Sequence, residues 1–290
     1  MRIAITSDIH FFPQWQQNIH HFARVLSSFE PDLLIVAGDT GEPLELFAQG
    51  LQTLAPICKQ RAALAGNHDV WRREKGYVYS SERLWEAELA RVARANGYLW
   101  LEQDNLVVGG VGICGTIGWY DYGGKPDQLP FDDDFYEVIK LQVTNDARYI
   151  DWRWSDREFA ARVGDAFQAR LDRLEADPSV YEVLVTTHVP LYAGALRPSA
   201  TPEQALLNAY YANVGLGEKV LTRPKVRAVV SGHVHHERRL SIPRANGKPL
   251  TPLRVFTVPA DYGFPAALLL DTETWDARAV RSDGTAILAQ

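Results

Sequence analysis

The sequence reads as an α/β protein, and two observations carry that reading. Short apolar runs alternate along the chain with segments of helical periodicity. Five of those runs then finish on a side chain able to bind a metal: IAITSDIH on Asp8 and His10, LLIVAGD on Asp39, AALAGNHD on Asn67, VLVTTH on His188, and VVSGHVH on His233 and His235. Strands of one sheet that repeatedly end this way deliver ligands to a common edge. In open α/β sheets the carboxyl edge is where ligands bind, so the expected chemistry is that of a metal centre.

The elements follow in order. A strand over 3–6 leads into a helix over 14–29, whose Trp15, Ile19, Phe22, Leu26 and Phe29 share one face. A strand over 33–37, a helix over 44–54 and a strand over 62–65 come next. Ser80 or Ser81 caps a helix that buries Leu84, Trp85, Leu89 and Val92 and stops at Gly97. Short β segments cover 99–101, 106–108 and 111–114. From Trp119 to Trp154 the periodicity dissolves, and the segment over about 119–155 reads as an insertion or lid, since long irregular loops are usually functional or mobile. A helix over 156–174 aligns Phe159, Val163, Phe167, Leu171 and Leu174. Strands over 183–187 and 228–230 bracket further helices, and several β segments fill 238–281. No linker or repeat divides the chain, so residues 1–290 are expected to form one domain.

The composition is that of a globular protein with a large core: 46% hydrophobic and 23% charged. A net charge of −6 argues against a protein that coats nucleic acid, which usually carries a basic face. Cys58 and Cys114 make neither a framework nor a C-x-x-C pair and read as buried, reduced thiols. The chain starts on the strand-like MRIAIT and contains no apolar stretch of the ~20 residues a membrane span needs. A soluble, cytoplasmic protein with no membrane partner is expected.

Asp8 and His10 stand two apart at a strand end, as do His233 and His235, so each pair is expected to point to one face. Carboxylates, imidazoles and one amide together suit Mn, Fe, Zn or Co better than an all-oxygen calcium site. In this order and spacing, D-x-H (Asp8, His10), G-D (Gly38, Asp39), G-N-H-D (Gly66–Asp69), the isolated His188 and G-H-x-H (Gly232–His235) resemble the calcineurin-like metallophosphoesterase superfamily, bacterial type. The resemblance runs from Asp8 to His235.

That resemblance implies a four-layer αββα sandwich of two mixed sheets flanked by helices, holding two metal ions ~3.5–4 Å apart. One ion takes Asp8, His10, Asp39 and His235; the other takes Asp39, Asn67, His188 and His233, with Asp39 as the bridge. His68 becomes the catalytic histidine that binds no metal, and Asp69 its orienting partner. Two divalent cations, set against the carboxylates of Asp8 and Asp39 and a bridging hydroxide, leave about one positive charge at the centre. That charge suits a phosphate ester, attacked in line by a hydroxide that metals make available at neutral pH. His68 then protonates the leaving oxygen or stabilises the charge that develops. The chain departs from the G-D-x-x-D or G-D-x-x-N pattern at Glu42, where a modest adjustment of geometry is expected.

Other features are read more simply. Gly110–Gly115 matches G-x-G-x-x-G, but no helix follows it, so it is not a dinucleotide site. The segment GTIGWYDYG resembles a stretch near the active-site mouth of some bacterial relatives, which makes Tyr120 a candidate substrate contact. Trp71 and Arg72 follow the G-N-H-D motif directly: an indole stacks on a base and a guanidinium forks onto phosphate, the competing reading being a surface loop. His20 and His21 read as surface residues, His236 as a surface or supporting one, and Asp132–Asp134 as a solvated loop. The leading expectation is a dinuclear-metal phosphoesterase acting on a small phosphomonoester or phosphodiester, nucleotides among the candidates. The alternatives are a metal-dependent nuclease, disfavoured by the acidic charge, and a non-catalytic scaffold, disfavoured by the full ligand set.

Overall fold

A computed structural model describes residues 1–73, 77–129, 131–244, 251–282 and 286–287. Two sheets are packed face to face. The first contains β1 (Arg2–Thr6), β2 (Leu33–Ala37), β3 (Arg61–Leu64), β4 (Leu99–Trp100), β11 (Ala266–Asp271), β12 (Asp276–Arg281) and β13 (Ala286–Ile287), in the order β13-β12-β11-β1-β2-β3-β4. The second contains β5 (Leu106–Val108), β6 (Val111–Thr116), β7 (Glu182–Thr187), β8 (Val226–Ser231), β9 (Arg238–Ile242) and β10 (Leu253–Thr257), in the order β5-β6-β7-β8-β10-β9. In the first sheet the parallel block β1-β2-β3-β4 runs to one edge, and the antiparallel β11, β12 and β13 complete the other side. In the second the parallel block β6-β7-β8-β10 is central, with antiparallel β5 and β9 at the two margins.

Both faces of each sheet are covered, which is why the central strands are apolar throughout instead of alternating. Ile3, Ile5, Ile35 and Leu64 meet Ile113, Leu184, Val230 and Phe256 between the sheets. On the outside of the first sheet, Ala4, Leu34 and Val36 pack on Ile19, Phe22 and Leu26 of α1 (Gln16–Ser27) and Phe47 and Leu51 of α2 (Leu44–Leu54). On the outside of the second, Val183, Val185 and Val229 pack on helices described below. The expected αββα layering is present. The expected single sheet edge is not: the strands that lead to candidate ligands are divided between the two sheets.

Ser80 accepts a hydrogen bond from the Arg83 amide and so caps α3 (Ser81–Arg83), which passes through a π-helical turn (Leu84–Glu88) into α4 (Leu89–Ala95). The stretch expected to be irregular contains two helices, α5 (Asp133–Val143) and α6 (Asp146–Tyr149). Asp132 is not part of a solvated loop. It caps α5 by accepting from the Phe135 amide, with Asp133 and Asp134 in the first turn, where the helix dipole favours negative charge. Ser155 and Glu158 form a capping box at the start of α7 (Asp156–Ala176). The chain continues through α8 (Pro202–Leu207) and α9 (Val214–Leu221); Phe167, Leu171, Leu216 and Val220 of α7 and α9 cover the second sheet. Cys114 is buried and Cys58 only half-buried; both are free thiols. Among the described residues no helix is long and apolar enough to cross a membrane.

Candidate metal centre

The carboxyl ends of the parallel strands from both sheets meet at one place. The loop after β1 runs beside the loop after β2, with the amides of Asp8, His10 and Phe11 donating to the carbonyls of Gly38, Asp39 and Thr40 at 3.1, 2.9 and 2.8 Å. The second sheet joins through the Gly232 amide, which donates to the His188 carbonyl at 3.0 Å, and the His233 amide, which donates to the Asp8 carboxylate at 3.0 Å.

The paired ligands do not share a face through strand pleat, as their spacing suggests, because β1 ends at Thr6 and β8 at Ser231. Asp8, His10, Asp39, His233 and His235 instead take left-handed backbone, with φ of 54, 42, 51, 70 and 49°. Each such residue costs about 1–3 kcal/mol, and such strain gathers where the surroundings enforce it. Glycines make the approach feasible. A Cβ on Gly66 would stand 2.1 Å from Asp39 Oδ1, and one on Gly232 would stand 1.9 Å from Ser7 Oγ.

Two clusters result. In one, His235 Nε2 is 3.3 Å from Asp8 Oδ1 and 3.4 Å from His10 Nε2, and His10 Nε2 is 3.7 Å from Asp39 Oδ2. In the other, His188 Nε2 is 3.4 Å from the same Asp39 oxygen and 2.9 Å from Asn67 Oδ1, and His233 Nδ1 is 3.1 Å from Asn67 Oδ1. Asp39 Oδ1 is taken by the His68 amide at 2.9 Å, which leaves Oδ2 as the oxygen common to both clusters.

The outer ring nitrogens fix which lone pairs face inward. His188 Nδ1 donates to the Ala37 carbonyl at 3.0 Å and His233 Nε2 to the Tyr210 carbonyl at 3.3 Å, since a carbonyl can only accept. Neutral imidazoles would therefore point lone pairs at the Asn67 oxygen, so the arrangement requires positive charge between them. The chain's own ionisation reflects this. Burial opposes a charge on His188, but Asp39 and Asp8 outweigh it and push the ring up to about 9. Asp8, despite burial, is held down to about 2 by His235. Burial lowers His10 and His233 to about 4, leaving both as neutral donors. The donor set and its inward lone pairs fit divalent metal ions.

A family model described as calcineurin-like phosphoesterase matches residues 1–237. The chain belongs to the calcineurin-like phosphoesterase family. It is a phosphoester hydrolase. Its fold is similar to that of the phosphopantetheinyl hydrolase PptH from Mycobacterium tuberculosis, at 20% identity and a TM-score of 0.66 over 90% of each chain. It is also similar to that of TT1561 from Thermus thermophilus, at 12% identity and a TM-score of 0.53 over 97% of this chain and 98% of the other. No curated protein matches it.

In this phosphoesterase His68 stands beside the clusters, its Nε2 3.9 Å from Asp39 Oδ2 and its ring stacked on Trp71 at 3.5 Å between centroids. Asp69 is not its orienting partner: both Asp69 oxygens are occupied by backbone amides, Oδ1 by Thr40 and Gly41, Oδ2 by Gly66. Asp69 stitches the β2 and β3 loops together. The carboxylate that faces His68 is Glu42, whose Oε2 is 3.6 Å from His68 Nδ1 and whose Oε1 is 2.9 Å from Arg73 Nε. Burial pushes Glu42 up to about 8 against the pull of Arg73, and burial holds His68 well below the usual histidine range.

A pocket of about 440 Å³ opens over the clusters, lined among others by Trp71, Asp146, Arg197, Tyr210, Tyr211 and Tyr262. A larger groove of about 700 Å³ lies at the opposite edge, near the start of β1, and contains none of the candidate ligands. Of the three expected substrate contacts, only Trp71 lines the pocket. Arg72 is tied to Asp151 and to the Tyr77 carbonyl, and Tyr120 is fully buried with its hydroxyl on Asp146 at 3.0 Å. Asp146, Arg197 and Tyr262 had no motif to mark them. Tyr262 nonetheless stacks on His10 at 4.2 Å between centroids, and Asp261 accepts from His235 Nδ1 at 3.3 Å.

Proposed function

We propose that this phosphoesterase hydrolyses phosphodiesters with a pair of divalent transition ions drawn from Mn, Fe, Zn or Co. The observation that carries the proposal is the single Asp39 oxygen facing both ligand clusters. Asp8, His10, Asp39 and His235 would hold one ion, and Asp39, Asn67, His188 and His233 the other. Such a pair, when bound, supplies charge neutralisation for phosphate oxygens and a water acidified to serve as nucleophile.

The remaining work belongs to side chains of this protein. Glu42 and His68 act as a unit. Burial raises Glu42 and lowers His68, so the proton of the pair sits on the glutamate, whose Oε2 stands 3.6 Å from Nδ1, a contact just beyond hydrogen-bond length. Shortening that gap by a few tenths of an ångström lets Nε2 deliver a proton to a leaving alkoxide while Glu42 supplies one to Nδ1. Trp71 holds the ring in plane by stacking. Arg197, with its guanidinium fixed by the Val234 and His235 carbonyls at 2.7 Å, is the one arginine or lysine among the described lining residues, beside the acids Asp146 and Asp261. With the ligand Asp39 set aside, one cation against two acids suits a singly charged diester better than a doubly charged monoester or a long polyanion. The aromatic walls suit an organic alcohol, such as a nucleoside or a pantetheine-like arm.

The test is turnover of bis-p-nitrophenyl phosphate, p-nitrophenyl phosphate and single-stranded DNA by protein loaded with Mn²⁺, with His68→Ala alongside. Preference for the bis ester is expected, with a loss of about 10²–10⁴-fold in the variant and no loss of metal. Turnover of the monoester alone would overturn the diester assignment, and lost metal in His68→Ala would show that His68 is a ligand.

A further inference from the structure

We propose that Asp146, on the segment between Trp119 and Ser155, is the positioning residue that turns the Asn67 oxygen toward the metal centre. The inference rests on the metal reading given above and concerns a residue that no motif marks. Asp146 is only 5% exposed and sits at the start of α6. It receives three hydrogen bonds: from Asn67 Nδ2 at 2.9 Å and Trp71 Nε1 at 2.7 Å on one oxygen, and from the Tyr120 hydroxyl at 3.0 Å on the other. No arginine or lysine among the described residues pairs with it.

The chemistry of these partners decides the orientation. A carboxylate only accepts, so the end of the Asn67 amide that meets Asp146 must be the NH₂. The oxygen then points the other way, to His188 Nε2 and His233 Nδ1. An asparagine amide flipped end for end would present N–H donors to a cation and could not bind it. Asp146 excludes that flip. The same carboxylate fixes the indole of Trp71, against which His68 is stacked, so one side chain governs both a metal ligand and the proton-handling histidine.

The segment over 119–155 is thereby a wall of the centre. Lifting it as a lid would withdraw the acceptor from Asn67 and Trp71 together.

The test compares two-step Mn²⁺ titration of wild type, Asp146→Ala and Asp146→Asn, with circular dichroism of each metal-free protein to establish folding. Loss of a partner that orients a ligand typically weakens metal binding 10–100-fold. Asp146→Ala should show that loss at one site of the two. Asp146→Asn, which retains the acceptor oxygen facing Asn67 and Trp71, should stay within a few-fold of wild type. Equal loss at both sites, or no loss, in a folded Asp146→Ala protein overturns the inference. So does a 10-fold or greater loss in Asp146→Asn, whether or not the alanine variant folds. Wild type that takes up fewer than two ions overturns the proposed function as well, which separates the two failures.

Discussion

Asp39 gives its two oxygens different work. One accepts the His68 amide and the other faces His10 and His188 at 3.7 and 3.4 Å. Substituting Asp39→Asn replaces one oxygen with a donor and removes a charge that both clusters use. We expect both metal affinities to fall together, read by calorimetric titration; weakening of only one step would show that the carboxylate is not shared. The residue types in the five motifs made Asp39 and its neighbours legible from sequence, since each donor is drawn from the short list that binds borderline metals. The partner of His68 was not legible. Glu42 stood out only as a departure from pattern, and Asp69 was nearer in the chain, yet the fold turns Asp69 onto three backbone amides and Glu42 toward the ring. Adjacency in sequence does not decide which carboxylate a side chain meets when a tight turn intervenes.

The loops after β1, β2 and β8 owe their shape to residues that strand periodicity cannot describe. The D-x-H spacing suggested a pleated strand end, whereas left-handed backbone at alternate positions does the orienting. Glycine provides the clearance. In Gly232→Ala the new methyl would stand 1.9 Å from Ser7 Oγ and 2.6 Å from Asp8 Oδ2. We expect a loss of about 1–3 kcal/mol from overpacking together with displaced Asp8 and weakened metal uptake. Gly109→Ala is the control, because nothing lies within 4 Å of its Cβ, although φ there is +57°. Its cost should be stability alone, about 1–2 kcal/mol, read by urea unfolding beside metal titration. If Gly232→Ala kept wild-type metal affinity, the close approach would not matter to the site. The helices within 119–155 escaped the sequence for a different reason. Val138 and Leu141 of α5 are each 66% exposed, and Tyr136 is the helix's only buried residue among those described, so its apolar pattern points to no single face.

The two sheets depend on each other beyond the metal centre. Glu102 accepts from the Ile117 amide of the second sheet's β6 loop, near the buried Arg170 of α7, which donates to the Gly115 carbonyl. Burial, opposed by Arg170, raises Glu102 from 4.5 to about 7. The folded protein therefore keeps this proton where the unfolded chain has released it, so stability falls as pH rises from about 4.5 to 7. At about 1.4 kcal/mol per unit the change is at most about 3–4 kcal/mol. Denaturant unfolding of wild type and Glu102→Gln across that range checks it: the variant should show the flatter curve, and parallel curves would remove Glu102 as the cause. The αββα layering was legible only through the resemblance that the five motifs carry, because apolar strands alternating with amphipathic helices indicate an α/β protein without deciding between one sheet and two. The division of the ligands between sheets was not, since strand order is set by long-range pairing.

The pairing of β11 with β1 bears on how this protein can be dissected. β11 lies between β12 and β1, in register from Arg2 opposite Asp271 to Thr6 opposite Ala267, and the Thr6 hydroxyl donates to the Ala266 carbonyl. Every motif of the family falls within residues 1–237, the span the family model matches. That span nevertheless leaves out strands that complete both sheets. Severed at 237 it would strip β1 of one neighbour, expose the edge from which Asp8 and His10 hang, and uncover the apolar surface that Leu268 and Leu270 now occupy. The matched span is shorter than the two sheets that hold the site, so a fragment meant to keep the site should retain the distal strands.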